Sequence, residues 1–254
     1  MKSFKFILTT ILFLLVSLTL AAKTKTVTYK SQDGLLITAN LYLTHKINAP
    51  FIILFHQAGW SRGEYKETAP ILNKLGFNCL AVDLRSGGKV NGVINQTHKR
   101  AEEQKKRTNY IDAIQDMEAS IKYAKNNYSK GKLIIWGSSY SSALVLVVGS
   151  KNKKNVDGIL SFSPGEYFEK LGKSSTYITE NAKNITQPVF ITSAKREHSL
   201  WKNIFAAILS KDKTFFLPKS EGNHGSRVLW SKFKYSKEYW EAVKSFLSKY
   251  SKTK

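Results

Sequence analysis

The order of apolar runs and amphipathic stretches predicts an α/β protein, a mostly parallel, doubly wound sheet with helices on both faces, entered through an antiparallel hairpin. Three observations carry this expectation. Short continuous apolar runs such as Phe51-Ile52-Ile53-Leu54-Phe55 read as strands buried on both faces. They alternate with stretches in which apolar residues recur at helical spacing. No Pro- or Ser-rich linker and no internal repeat divides the chain.

Taken in order, Lys25 to Lys30 and Leu35 to Leu43 form the opening hairpin, turned at Asp33-Gly34. Phe51 to Phe55 is the first buried strand. A helix from about Glu64 to Leu75 stops at Gly76, a residue suited to a helix C-terminus. Asn78 to Leu84 is the next strand. Arg85 to Thr108 is polar, basic and weakly patterned, and is expected to be a surface loop near the site. Tyr110 to Asn126 places Ile111, Ile114, Met117, Ile121 and Ala124 on one helical face. Leu133 to Trp136 is a strand, followed by a helix through Val148. Asp157 to Phe162, Val189 to Thr192 and Thr214 to Leu217 are further strands. Leu200 to Leu209 and Tyr239 to Tyr250 are helices. Gly165 to Gln187 is too short for a large cap domain, so the pocket is expected to be fairly open.

The first 22 residues read as a leader and not as fold. Lys2 and Lys5 precede an apolar stretch, Phe6 to Leu20, and small residues follow at Ala21 and Ala22. This is the pattern of a secretory signal peptide, and the stretch is short for a membrane span. The expectation is cleavage near Ala21 or Ala22, export to the periplasm or beyond, and no stable membrane span afterwards. Residues 23–254 then form a single domain, long enough for one sizeable core. The lone cysteine, Cys79, excludes an intramolecular disulfide and sits in an apolar run as a buried thiol. The net charge is +22. Its lysines are scattered in ones and twos with few arginines and no nucleic-acid motif, so a compositional bias over the solvent face accounts for it, with weak contact to anionic surfaces as the alternative.

Chemistry concentrates at Leu133-Ile134-Ile135-Trp136-Gly137-Ser138-Ser139-Tyr140-Ser141. A strand breaks into a tight turn with small residues two before and two after Ser139, then becomes a helix. That context exposes a serine hydroxyl above a sheet and makes Ser139 a candidate nucleophile. A serine nucleophile needs a base, and the base needs an acid to orient it. Of the five histidines, His224 lies between the last strand and the last helix, on the edge where Ser139 emerges. The acid is expected one strand earlier, at Glu197. Glu166 is the rival, and Glu221 lies too close to His224 in sequence. One oxyanion donor belongs to Tyr140, directly after the nucleophile, and the other to the loop Phe55-His56-Gln57-Ala58-Gly59-Trp60, which His56 shapes.

These marks, with Asp83-Leu84-Arg85-Ser86-Gly87-Gly88, resemble the α/β-hydrolase superfamily and, within it, its dienelactone-hydrolase-like or small serine esterase branch. The resemblance runs from about Phe51 to the C-terminus. It implies the α/β-hydrolase fold and a serine hydrolase acting on a small-molecule acyl substrate, carboxylic esters first and peptides or lactones next. It implies Ala58 and Tyr140 as oxyanion donors, with Gln57 as the alternative to Ala58. Three departures stand out. Dienelactone hydrolases use Cys where this chain has Ser139, Ser141 replaces a glycine, and the acid is Glu where Asp is commoner. A non-catalytic binding module on the same scaffold is the competing expectation, with a pocket but no serine reactivity. No His/Cys cluster, phosphate loop or dinucleotide fingerprint occurs, so no metal, cofactor or nucleic acid is inferred.

Overall fold

The computed structural model describes residues 24–251. The expected leader, residues 1–22, lies outside the described residues. The chain enters through an antiparallel hairpin, β1 (Lys25–Lys30) and β2 (Leu36–Tyr42), joined at Asp33-Gly34, where Gly34 takes a φ of +81°. The parallel strands follow as β3 (Phe51–Phe55) and β4 (Asn78–Val82). Between them lie a 3₁₀ turn at Arg62–Tyr65 and helix α1 (Thr68–Lys74). The expected helix thus divides in two, and Glu64 is buried in its first part.

The stretch Arg85 to Thr108 departs from expectation. It carries a two-stranded ribbon, β5 (Lys89–Val90) with β6 (Val93–Ile94), and helix α2 (Gln96–Glu103). The helix is held by polar contacts. The Asn95 side chain caps it by accepting from His98 N at 2.8 Å, and Thr97 Oγ1 accepts from Thr38 N at 2.9 Å. Such a helix leaves little apolar periodicity to read.

Helix α3 (Ile114–Asn127) begins after a 3₁₀ turn, Tyr110–Ala113. Then come β7 (Leu133–Ser138), α4 (Tyr140–Lys151) and β8 (Gly158–Phe162). Helix α5 (Tyr177–Ala182) lies inside the segment Gly165 to Gln187, which contributes no large cap. The chain closes through β9 (Val189–Thr192), α6 (His198–Ala207), β10 (Lys213–Phe216) and α7 (Ser236–Ser251).

The eight-stranded sheet runs β1-β2-β4-β3-β7-β8-β9-β10, with every pair from β4 onward parallel. Alternate residues of each strand feed opposite faces. Ile53, Phe55 and Ile135 pack with Met117 and Ile121 of α3, Val145 of α4 and Ile204 of α6. Ile52, Leu54 and Ile134 pack with Leu72 of α1 and Val243 and Phe246 of α7. Every residue of α4 except Lys151 is buried, so the helix that carries the elbow is fixed from all sides. Each large aliphatic side chain buried this way contributes on the order of 2 kcal/mol. The loops leaving the carboxyl ends of β3, β7, β8, β9 and β10 converge on one edge of this rigid sheet.

Candidate active site

Ser139 occupies the turn between β7 and α4 with φ 58° and ψ −123°, a strained backbone for a residue with a side chain. The turn is over-determined. Ser139 N donates to Phe162 O at 2.8 Å, and a Cβ on Gly137 would lie 2.3 Å from Ser141 O, so only glycine fits at that position. Ser141, where the resemblance expects glycine, has a positive role. Its Oγ accepts from Ser138 N at 2.8 Å and lies 2.8 Å from Phe55 O, binding the elbow to β3.

The structure brings Ser139, His224 and Glu197 into one line. His224 Nε2 is 2.7 Å from Ser139 Oγ, and His224 Nδ1 is 2.7 Å from Glu197 Oε1. Glu197 ends the short 3₁₀ turn Lys195–Glu197 that links β9 to α6. Its other oxygen, Oε2, accepts from Ser163 Oγ at 2.7 Å and from Ala194 N at 3.2 Å. Burial pushes the Glu197 carboxyl up, but the His224 hydrogen bond, the imidazole charge and the Ser163 and Ala194 bonds outweigh it, and the net shift is downward. Ser163 was not legible in the sequence as a site residue. It takes a positive φ of 63° after β8, and its Oγ also accepts from Gly225 N at 2.9 Å, so it holds the acid and the histidine loop together. The only sequence signal is a small polar residue at a strand's carboxyl end.

The loop after β3 is fixed on both sides of Gln57. Gln57 N donates to Glu64 Oε2 at 2.8 Å. Gln57 O accepts from His56 Nδ1 at 2.8 Å and from Trp60 N at 3.3 Å. Because a peptide is planar and trans, pinning that carbonyl points the Ala58 N–H the opposite way. His56 Nε2 accepts from Leu84 N at 3.0 Å, which puts the imidazole proton on Nδ1. Complete burial pushes His56 down to about 4, so it stays neutral and acts as a brace. The Gln57 alternative is therefore overturned, because its amide is already bonded to Glu64. The amides of Ala58 and Tyr140 donate to no protein acceptor among the described residues.

Glu64 is the second residue that sequence reasoning missed. It is fully buried, accepts from Ser138 Oγ at 2.7 Å as well as from Gln57 N, and burial raises its pKa to about 7. Glu166 is corrected as a rival acid. Its carboxylate accepts from Ile178 N, Thr179 N and Thr179 Oγ1, each at 2.8 Å, and so caps α5. Asp83 is buried against Arg62, and Arg85 forks onto Asp116 at 2.7 Å and Asp33 at 2.9 Å, so the Asp-x-Arg segment braces the scaffold. His45 and His98 contact backbone carbonyls, and His198 packs on Trp201. A cavity of about 280 Å³ lies against Gly59, bordered by His98, Tyr110 and Leu171. The Tyr110 ring rests on the Tyr140 ring at 4.6 Å. Among the described residues no group of three or more His, Cys, Asp or Glu could hold a metal ion, and no helix is long and apolar enough to cross a membrane.

Comparison with known proteins agrees with this fold. The family model described as serine aminopeptidase, S33 matches residues 48–169, from the start of β3 past the elbow. An esterase from Pyrococcus furiosus superposes with a TM-score of 0.69 at 20% identity, over 91% of this chain and 93% of its own. The chain has the α/β-hydrolase fold. A dienelactone hydrolase from Anabaena variabilis aligns with a TM-score of 0.70 at 12% identity, covering 90% of this chain and 98% of its own. A thermostable carboxyl esterase from Bacillus coagulans gives 0.67 at 11% identity, over 91% and 100%. No curated protein matches this chain in sequence. The family match and the structural neighbours together support a hydrolase of the α/β fold.

Proposed function

We propose that this chain is an exported serine hydrolase that cleaves carboxylic esters through an acyl-enzyme on Ser139. The observation that carries the reading is the unbroken hydrogen-bonded line Ser139–His224–Glu197, with 2.7 Å at both links, ending on a strained elbow. Ser139 Oγ attacks the ester carbonyl carbon while His224 Nε2 takes its proton. The tetrahedral oxyanion accepts from the Ala58 and Tyr140 amides. Its collapse expels the alcohol, which takes the proton from His224, and leaves the acyl group on Ser139. Water then repeats the sequence with His224 as base and releases the acid. Glu197 keeps its charge throughout and stabilises the imidazolium.

The small cavity beside Gly59 favours short acyl or alcohol groups, and the esterase neighbours support ester cleavage over the competing binding-module reading. Export rests on Lys2 and Lys5 followed by the apolar stretch Phe6 to Leu20 and Ala21-Ala22. The mass of the cell-derived chain should place its N-terminus at residue 22 or 23. An intact leader would remove the export reading. Fluorophosphonate should label wild-type protein at Ser139, and Ser139→Ala should lose both labelling and hydrolysis while remaining folded. A panel of p-nitrophenyl esters and aminoacyl p-nitroanilides should show turnover of short esters. Turnover of the anilides alone would move the activity to the peptidases, which the serine aminopeptidase family match keeps in view. A folded wild type that stays unlabelled beside a labelled control esterase would leave the binding module standing.

A further inference from the structure

Glu64 lies outside the line of catalytic groups, yet three of the site's loops meet at its carboxylate. Oε2 accepts from Gln57 N at 2.8 Å in the oxyanion loop. Oε1 accepts from Ser138 Oγ at 2.7 Å, on the residue before the nucleophile. Ser138 Oγ in turn accepts from Ser226 N at 2.8 Å, two residues beyond His224. The Glu64 carbonyl accepts from Trp230 Nε1 at 2.9 Å, and the Trp230 ring stacks on Trp60 at 5.3 Å, so the oxyanion loop and the chain after the histidine are also clamped through the rings.

Burying a carboxylate completely is costly unless it does something an apolar side chain cannot. An apolar residue would fill the same space and leave Gln57 N and the Ser138 hydroxyl unpaired. Two donors converging on one group require two acceptor oxygens and no hydrogen, which a carboxylate supplies and an amide does not.

On the serine-hydrolase reading above, we infer that Glu64 is a positioning residue that registers the oxyanion hole against the nucleophile and the histidine loop. It acts through others. With Gln57 N held by Glu64 and Gln57 O held by His56 and Trp60, the Ala58 amide has one direction left to point. Through Ser138 the same carboxylate fixes the distance from that amide to Ser139 and His224. Loss of the carboxylate should therefore weaken the transition state, where the oxyanion exists, and leave ground-state binding nearly unchanged. The groups whose charge bears on Glu64 are Arg227, which favours its ionised form, and the Tyr65 and Tyr140 hydroxyls, which burial above all keeps protonated, with the glutamate's charge adding to it.

The test compares Glu64→Gln with wild type on a short p-nitrophenyl ester and on the matching thionoester, whose sulfur is a poor acceptor in an oxyanion hole. Glu64→Gln should keep its fold, lower kcat about 30-fold and leave KM within threefold. The ester-to-thionoester rate ratio should fall in the variant, a change that general loosening of the fold does not produce. Should Glu64→Gln fail to fold, Ser138→Ala removes the link to Ser226 without emptying the site, and kcat should fall about tenfold at constant KM. An active, fluorophosphonate-labelled wild type together with a folded Glu64→Gln of unchanged kcat and unchanged rate ratio would overturn the role of Glu64 and leave the serine-hydrolase reading intact. If Glu64→Gln does not fold, a Ser138→Ala within twofold of wild type does the same. A wild type that neither labels nor hydrolyses esters overturns both.

Discussion

Glu197 gives one oxygen to His224 and the other to Ser163 and the Ala194 amide, so both oxygens have donors. Those bonds hold its carboxyl below the usual carboxylate range. It therefore carries its charge across the neutral range, and the stability it contributes is lost only as pH falls through that lowered value. Glu166 is just as well bonded, but to the first turn of α5. The two acids should separate cleanly under the same substitution. Glu197→Gln should lower kcat by about 10³-fold or more, because an amide cannot stabilise the imidazolium. Glu166→Gln should leave kcat within about threefold, since capping bonds act on stability and not on turnover. Steady-state kinetics of the two variants decides this, and the opposite ranking would move the acid to the loop after β8.

The strand–elbow–helix unit built from β7 and α4 shows how a motif can depart from the commoner pattern and still be complete. Ser141 supplies a hydroxyl that accepts from Ser138 N and reaches Phe55 O, bonds that a glycine there could not make. Ser141→Gly restores the commoner motif, yet it should destabilise the protein by about 1–3 kcal/mol, because the buried Ser138 N–H loses its acceptor, while Phe55 O keeps the Tyr65 hydroxyl. Chemical denaturation measures that difference, and an equal or higher midpoint would mean the hydroxyl contributes nothing. Elements of this kind were legible in the sequence because continuous apolar strands and a Gly-x-Ser turn leave a local pattern. Ser139, His224 and Glu197 were legible because each follows a strand that the pattern had already located. Helix α2 was not, because it is tied down by Asn95 and Thr97 and not by an apolar stripe. Ser163 and Glu64 were hidden for a related reason. Their importance lies in which distant groups they touch, and nothing near them in sequence records that.

At the scale of the whole molecule, lysines separated in sequence come together in space. Lys125, Lys130, Lys132, Lys153, Lys154 and Lys249 line a cavity of about 860 Å³ at the amino edge of the parallel strands. Three of the molecule's helices end at this edge, with Lys125, Lys151 and Lys249 in their last turns. Positive side chains there complement the carbonyl ends of the helices, and Asp157 and Asp212 pair with Lys132 and Lys249. The line Ser139–His224–Glu197 sits at the other edge, across strands of five or six residues that span roughly 17–20 Å. That exceeds the screening length of about 8 Å at physiological salt, so the lysine-rich edge should not steer substrates to Ser139. For a neutral short ester, kcat/KM should stay within about twofold between low and physiological ionic strength. A matched ester carrying a carboxylate on its alcohol should behave almost the same. A fall of about tenfold for the anionic ester alone would show that the net charge of +22 focuses a field on the site. The basic surface would then belong to substrate selection, and acidic acyl compounds would become the first class to test.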